Sequence, residues 1–213
     1  MKTILSKIYY RSIIFFLPKI YTLFDYIYIG FQNKYNLSRK IIKLEKNKKT
    51  IQFKLQNKVK NSRFLQLWHI RSKLKNFITR KYKFVDIGSG WGSTLVFFNH
   101  YLDFKQLIGV ENHKESANES KKIIKLYNLK KIKIINKNGK NFKLDGHSII
   151  YINLPDKVMI ESILKFNKKN ILYKKNIIII VNLNAFEFFK KKKLLKNYKY
   201  KNYPILRYFM FFN

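Results

Sequence analysis

Three glycines at alternate positions constrain this chain more than any other feature of its sequence. They lie within Lys81–Ser93, which reads KYKFVDIGSGWGS, between the apolar β-type run Tyr82–Val85 and a segment that suits a helix. A glycine turn between a strand and a helix can bring the backbone close to a ligand, because no Cβ stands in the way and a positive φ costs little. The first N–H groups of the following helix then point toward the crevice, and we expect a polar small molecule there.

The spacing of these glycines differs from that of a dinucleotide-binding fingerprint. That fingerprint is G-x-G-x-x-G, whereas Gly88, Gly90 and Gly92 give G-x-G-x-G, with Asp86 two residues before the first glycine. The pattern Asp-x-Gly-x-Gly-x-Gly after an apolar strand resembles the first motif of class I S-adenosylmethionine-dependent methyltransferases. The resemblance implies that Asp86 and the turn, including Ser89, form the binding site for the methionine part of S-adenosylmethionine.

Two further positions match the cofactor site of that family. A second predicted strand, Gln106–Val110, ends at Glu111, where the family has an acid that binds both ribose hydroxyls of the cofactor. A carboxylate suits this contact, because it can accept two hydroxyl protons in parallel. After the third predicted strand, Lys131–Ile135, the resemblance implies that Asn138 replaces the Asp that usually accepts from the adenine amino group. The amide oxygen can accept the same hydrogen bond without a charge.

The loop after the fourth predicted strand, Ser148–Ile152, reads Asn153-Leu154-Pro155-Asp156. Ligands of open parallel sheets bind outside the carboxyl ends of the strands, so this loop is expected to border the site. It resembles the fourth motif of the superfamily, and is nearer to the Asn-Leu-Pro of tRNA guanine-N1 methyltransferases than to Asn-Pro-Pro-Tyr. The resemblance implies that Asn153 and Pro155 hold the methyl acceptor, and Asp156 is a candidate to take its proton. The structural alternative is a turn in which Asn153 caps a helix that Pro155 starts.

The alternation of strand and helix patterns predicts an α/β fold. We expect a doubly wound, mostly parallel seven-stranded sheet with an antiparallel C-terminal strand pair, preceded by a basic helical N-terminal extension. The extension is predicted at 1–80 and the methyltransferase-like domain at 81–213. The helix after the third strand is expected to be shortened or missing, because only Lys140–Gly146 separate that loop from the next strand. The other predicted elements are helices at Ser93–Tyr101, His113–Leu129, Asp156–Phe166 and Ala185–Leu195, and strands at Asn176–Val181, Tyr198–Tyr203 and Ile205–Phe212.

The chain is strongly basic, with 46 Lys and Arg against 11 Asp and Glu and a formal net charge of +35. This charge favours a polyanion, foremost RNA (rRNA or tRNA) or the ribosome, or an anionic membrane surface. Abundant Lys, Asn, Ile, Tyr and Phe are typical of an AT-rich coding sequence. The expected compartment is therefore a mitochondrial or other organellar matrix, or the cytoplasm of a bacterium with an AT-rich genome. Zero cysteines and four scattered histidines predict no metal site.

Residues 1–31 are rich in aromatic and aliphatic side chains, but Lys7, Arg11, Lys19 and Asp25 interrupt them. A membrane-spanning helix needs about 20 mostly apolar residues in a row, which this segment does not offer. One or two amphipathic helices are expected instead, in contact with the domain, a protein partner or a membrane surface.

The segment before the glycine turn combines basic and aromatic residues. Gln32–Asn61 is basic and polar with few apolar positions, whereas Leu65–Ile78 predicts a helix with Leu67, Ile70 and Leu74 on one apolar face. Basic residues interleaved with aromatic ones suit RNA, because cations bind phosphate and aromatic rings stack on unpaired bases. A solvated basic face over an aromatic core is the alternative.

The predicted function is an S-adenosylmethionine-dependent methyltransferase that acts on rRNA or tRNA. Methyl transfer needs few catalytic side chains, because the enzyme's main task is to align the acceptor with the methyl group. One alternative is a non-catalytic, methyltransferase-like structural protein of an organellar ribosome. The other is a protein lysine methyltransferase, since the fourth strand also resembles that of small lysine methyltransferases, and residues 1–31 would then contact a membrane or protein target.

Overall fold

The computed structural model describes residues 64–76, 81–144, 148–154, 156–173, 176–181, 198–203 and 208–212. The predictions for residues 1–61, for a helix at Ala185–Leu195 and for Pro155 concern residues outside these ranges. No helix within the described ranges is long and apolar enough to cross a membrane.

A seven-stranded sheet forms the centre of the fold, with the strand order β3-β2-β1-β4-β5-β7-β6. The first five strands run parallel, β7 is antiparallel to β5, and β6 is antiparallel to β7. This confirms the predicted doubly wound sheet with its antiparallel C-terminal pair. The strands are β1 Lys83–Ile87, β2 Gln106–Glu111, β3 Ile132–Asn136, β4 Ser148–Ile152, β5 Ile177–Ile180, β6 Lys199–Tyr203 and β7 Tyr208–Phe212.

Five helices and one short 3-10 turn are described. They are α1 Phe64–Leu74, α2 Ser93–Tyr101, α3 Lys114–Leu126, the 3-10 turn Gly139–Asn141, α4 Lys157–Phe166 and α5 Lys168–Tyr173. Helix α2 has the predicted bounds. Helix α3 is shorter than predicted. It begins after His113, which is its N-cap, and it ends before Asn128, whose φ of 51° is not helical. Helix α5 was not predicted.

The central strands are apolar on both faces, as expected for a parallel sheet that helices cover on both sides. Every residue of β4 and β5 is buried, and only the first residue of β1 is partly exposed. Strand β6 is different, because four of its five residues are exposed at the edge of the sheet. The buried strands place their carboxyl ends at one edge, where the loops after β1, β2, β3 and β4 meet.

Helix α1 lies on this domain by its predicted apolar face, since Leu67, Ile70 and Leu74 are all buried. The Trp68 ring contacts Tyr101 of α2 edge-on, with ring centroids 5.1 Å apart. These contacts, made by residues 67–74 of α1, are with the domain that follows in the chain.

The buried side-chain amide of Asn167 binds the backbone of the segment after β3, where relatives of this fold usually have a helix. Asn167, at the end of α4, is fully buried and accepts a hydrogen bond from the Leu144 N–H at 2.8 Å. Its side-chain N–H group donates to the carbonyl oxygens of Phe142 and Ile163, both at 3.0 Å. Asn167 therefore ties the segment after the 3-10 turn to the end of α4 and satisfies the Phe142 carbonyl and the Leu144 N–H without a helix.

Candidate functional site at the carboxyl edge of the sheet

The glycine turn after β1 has the backbone conformation that its sequence predicts. Gly88, Gly90 and Gly92 have φ values of 83°, 53° and 80°, a region that other residues rarely adopt. The N–H groups of Gly88 and Ser89 both donate to the Val110 carbonyl oxygen, at 2.8 and 3.2 Å. The turn is therefore held over the end of β2, and the missing Cβ of Gly92 leaves room for the Ser120 hydroxyl, 2.6 Å from where that Cβ would lie.

Glu111, the last residue of β2, joins this turn to the start of α3. Its Oε2 accepts a hydrogen bond from the Gly90 N–H at 2.8 Å, and its Oε1 accepts one from the His113 N–H, also at 2.8 Å. A carboxylate offers about four lone-pair positions, so each oxygen can still accept another hydrogen bond. The carboxylate is thus fixed against the glycine turn and keeps acceptor capacity for a ligand.

Asn136 positions Glu111 from the neighbouring strand, a role that we did not predict from the sequence. Its side-chain N–H group donates to the carbonyl oxygens of Glu111 at 2.8 Å and Asn112 at 3.1 Å. The Lys137 N–H also donates to the Glu111 carbonyl oxygen, at 3.0 Å. Glu111 and Asn136 are register partners at the ends of β2 and β3. The signal in the sequence was that each of them stands at the end of a predicted strand.

Asp86 lies beneath the turn and is only 2% exposed. The pKa of Asp86 is raised to about 8, mainly by burial and also by the negative charge of Glu111, while a hydrogen bond with Thr94 opposes the shift. Its Oδ1 has no hydrogen-bond partner among the residues that the structure describes. At neutral pH the Asp86 carboxyl therefore carries its proton, and its side chain is buried rather than exposed at the edge of the sheet.

Ser89 also directs its side chain into the protein. Its Oγ is buried without a hydrogen-bond partner in the described part of the chain, and it would lie 2.7 Å from a Cβ built on Gly109 of β2. The hydroxyl is therefore turned toward β2, and the Ser89 N–H is already bonded to Val110.

The loop after β4 packs directly on the glycine turn. Leu154 is half-buried, and its Cδ2 lies 2.6 Å from the position that a Cβ on Gly88 would take. Asn153 is half-buried at the same edge of the sheet. Asp156 is the N-cap of α4, since its Oδ1 accepts from the Val158 N–H at 2.8 Å. The alternative in which Asn153 caps this helix is therefore wrong.

The loop after β3 reaches the same edge. Asn138 caps the 3-10 turn, because its side-chain oxygen accepts from the Lys140 N–H at 3.0 Å. A Cβ on the buried Gly139 would lie 2.5 Å from Cγ2 of Ile87, so the turn crosses to the end of β1. The structure thus gathers the glycine turn, Glu111, Asn138 and the Asn153 loop at one edge, and it places Asp86 and the Ser89 side chain below that edge. No group of His, Asp and Glu side chains in the described ranges could hold a metal ion.

A prediction follows from the contact between Leu154 and Gly88. We expect Gly88→Ala to destabilise the fold by roughly 1–2 kcal/mol from its positive φ alone, with an added cost from the clash with Leu154. Chemical denaturation of Gly88→Ala, Leu154→Ala and the double variant separates the cost of the positive φ from the cost of the clash. If Leu154→Ala restores none of the stability that Gly88→Ala loses, the clash with Leu154 does not contribute to that loss.

Comparison with known proteins indicates the fold rather than a close relative. No protein-family model matches the sequence, and a search of curated proteins finds no match. An S-adenosylmethionine-dependent methyltransferase from Aquifex aeolicus superposes with a TM-score of 0.54 at 14% identity, over 77% of this chain and 98% of that one. The methyltransferase domain of bacterial CtHen1-CN superposes with a TM-score of 0.54 at 14% identity, over 72% of this chain and 100% of that one. An S-adenosylmethionine-dependent O-methyltransferase from Thermotoga maritima superposes with a TM-score of 0.52 at 12% identity, over 76% of this chain and 69% of that one.

Proposed function

We propose that this chain, which has the Rossmann-like seven-stranded fold of class I S-adenosylmethionine-dependent methyltransferases, binds S-adenosylmethionine and methylates RNA. The observation that carries the proposal is the Glu111 carboxylate, held on the glycine turn by the Gly90 N–H at 2.8 Å. A glycine turn that lets the backbone approach a ligand and an acceptor-only group beside it both suit an adenosyl ligand.

The residues at the carboxyl edge fit this cofactor. The remaining acceptor positions of Glu111 would take the ribose hydroxyls, and the backbone of the glycine turn would contact the methionine part. The Asn138 oxygen accepts one hydrogen bond from Lys140, and its second lone pair would take the adenine amino group. Asp86 would support the turn as a neutral group, since its buried carboxyl retains a proton at neutral pH.

The bound cofactor supplies an electrophilic methyl group, and the protein has to align an acceptor atom with it. Asn153 stands at the end of β4, next to β1, and its amide can both donate to and accept from an acceptor base. Leu154 covers the turn at Gly88 and keeps water from that side of the site. Asp156 has one oxygen engaged as the cap of α4, and its other oxygen would take the proton that the acceptor releases.

RNA as the substrate is supported by charge rather than by the fold. A net charge of +35 favours a polyanionic partner, and a methyltransferase of this charge in an organelle or an AT-rich bacterium would meet rRNA and tRNA. Protein lysine side chains are a less suitable substrate, because a target that is itself cationic would be repelled.

The test is transfer of tritium from methyl-labelled S-adenosylmethionine to total RNA and, separately, to total protein. We expect label that ribonuclease removes, and a fall of about 10²-fold in the rate with Asn153→Ala, because the acceptor is no longer aligned. Asn141→Ala, which removes an exposed amide from the 3-10 turn, is the matched control and should leave the rate unchanged. Label only in protein would identify a lysine methyltransferase, and cofactor binding without transfer to either would contradict the proposed substrate.

A further inference from the structure

We propose that four lysines around the site bind the phosphates of single-stranded RNA and so present an unpaired base to the Asn153 loop. These residues, which we call the lysine rim, are Lys114, Lys137, Lys140 and Lys157. The inference rests on the proposed function and adds the surface by which the substrate would be held.

All four lysines follow the carboxyl end of a parallel strand. Lys114 is the first residue of α3 after β2, and Lys157 is the first residue of α4 after β4. Lys137 directly follows β3, and its N–H is bonded to the carbonyl oxygen of Glu111. Lys140 belongs to the 3-10 turn that lies against the end of β1. Because these strand ends meet at one edge, the four lysines belong to the same edge as the glycine turn and the Asn153 loop.

The side chains of the lysine rim are available to a ligand. Lys114, Lys137 and Lys140 are exposed and Lys157 is partly exposed. None of them forms an ion pair with an acid among the residues that the structure describes. Elsewhere on the domain, three lysines do have acidic partners, in the pairs Lys122–Glu119, Lys131–Asp103 and Lys165–Glu161. No rim lysine is therefore paired with a carboxylate of the described domain, and the adjacent acids in sequence are Glu115 and Asp156.

The stability of the helices does not explain two of these lysines. Lys114 and Lys157 occupy first helical positions, where the helix dipole is positive and favours acidic side chains. Helix α4 has no acid in its first turn, and its N-cap Asp156 is the only carboxylate described beside Lys157 in sequence. An incoming phosphate would gain from the lysine charge and from the helix N-terminus together.

Single-stranded RNA fits this arrangement better than a membrane surface. A flat anionic membrane is bound most firmly where apolar side chains accompany the lysines. The exposed large apolar residue beside the rim in sequence is Val158, at 62% exposure. The lysines instead share this edge with the polar Asn153 loop, and a base inside a duplex could not reach that loop without being unpaired.

The experiment measures the salt dependence of binding to an oligouridylate of about 16 nucleotides, within the range of a single-strand binding site. In the test variant of the full chain, all four rim lysines are replaced by glutamine. We expect the slope of log K against log salt to fall by about 0.7 for each lost phosphate contact, or roughly 3 in total. The same relation gives a loss of affinity of about 10²-fold at 0.15 M salt.

The control variant carries the same charge change at the opposite edge of the sheet. It replaces four exposed lysines near the amino ends of the strands. We expect its slope of log K against log salt to differ from that of the wild type by no more than about 0.7, the value for one phosphate contact. These lysines are Lys81, Lys105, Lys125 and Lys130. Equal slopes for the wild type and the rim variant, or equal losses in the two variants, would overturn the proposal.

Two further measurements separate the possible failures. Calorimetric titration with S-adenosylmethionine should give the same affinity for the wild type and the rim variant, which shows that the fold and the cofactor site survive. Absence of cofactor binding in the wild type would contradict the proposed function while the RNA slopes still test the rim. Binding to vesicles of phosphatidylserine and phosphatidylcholine that the rim variant loses, with unchanged RNA binding, would identify a membrane surface and overturn the proposal.

Discussion

Glu111→Ala is expected to weaken the binding of S-adenosylmethionine by about 10²- to 10³-fold, because hydrogen bonds to a charged acceptor contribute roughly 1.5–3 kcal/mol each. The variant loses the acceptor for the ribose hydroxyls. It also loses the 2.8 Å bonds that hold the carboxylate to the Gly90 and His113 N–H groups, so the turn itself is less well ordered. Isothermal titration calorimetry of the full chain at neutral pH measures the change.

Two companion variants make this result specific. Glu111→Gln keeps one oxygen but faces a backbone N–H with its own N–H group, so we expect an intermediate affinity. Glu119→Ala removes a partly exposed carboxylate of α3, which pairs with the exposed Lys122 at 3.0 Å, and should leave the affinity unchanged. Equal and negligible heats for wild type and Glu111→Ala would show that the site does not bind S-adenosylmethionine. That result would favour the non-catalytic structural protein of an organellar ribosome.

Asp86→Asn is expected to stabilise the protein at pH 8, by up to about 4 kcal/mol relative to its effect at pH 5. The pKa of Asp86 is raised by burial from 3.8 to about 8, so between these values the folded state holds a proton that the unfolded state has released. The free energy of unfolding therefore falls as the pH rises, by at most about 1.4 kcal/mol per pH unit. Asparagine is neutral throughout and removes this dependence.

Urea denaturation at several pH values from 5 to 8 tests this prediction. The wild type should lose stability with rising pH more steeply than Asp86→Asn, and the two curves should converge toward pH 5. Asp103→Asn is the control, because Asp103 is half-exposed, pairs with Lys131 and makes only a surface interaction. Parallel curves for wild type and Asp86→Asn would show that the buried carboxyl has another charge partner or is ionised in the folded state.

Local sequence patterns were sufficient for most of the fold. The apolar runs of the inner strands, the glycines of the turn and the amphipathic face of α1 each follow from residues close in sequence. The position of Glu111 at the end of β2 could be predicted for the same reason, since a strand that ends in an acid brings that acid to the carboxyl edge. The short connection after β3 predicted that the usual helix there would be shortened or missing, and the described residues show the 3-10 turn Gly139–Asn141.

The orientation of the polar side chains could not be read from these patterns. Asp86 lies two residues before Gly88 and Ser89 directly after it, yet both side chains are buried in the protein. Asn136 braces Glu111 only because β3 pairs in parallel with β2 at that register. Asp156, and not Asn153, caps α4, because the β4 loop extends three residues further before the helix begins.

The sequence by itself determined where the chain bends, which segments are buried and which acid reaches the glycine turn, because these depend on periodicity and on backbone freedom at single residues. The tertiary structure alone decided which polar atoms face a ligand, which carboxyl loses contact with water and which lysines lack an acidic partner. Those outcomes depend on contacts between residues 20 or more positions apart, such as Glu111 with Asn136 and Leu144 with Asn167, and no local pattern specifies them.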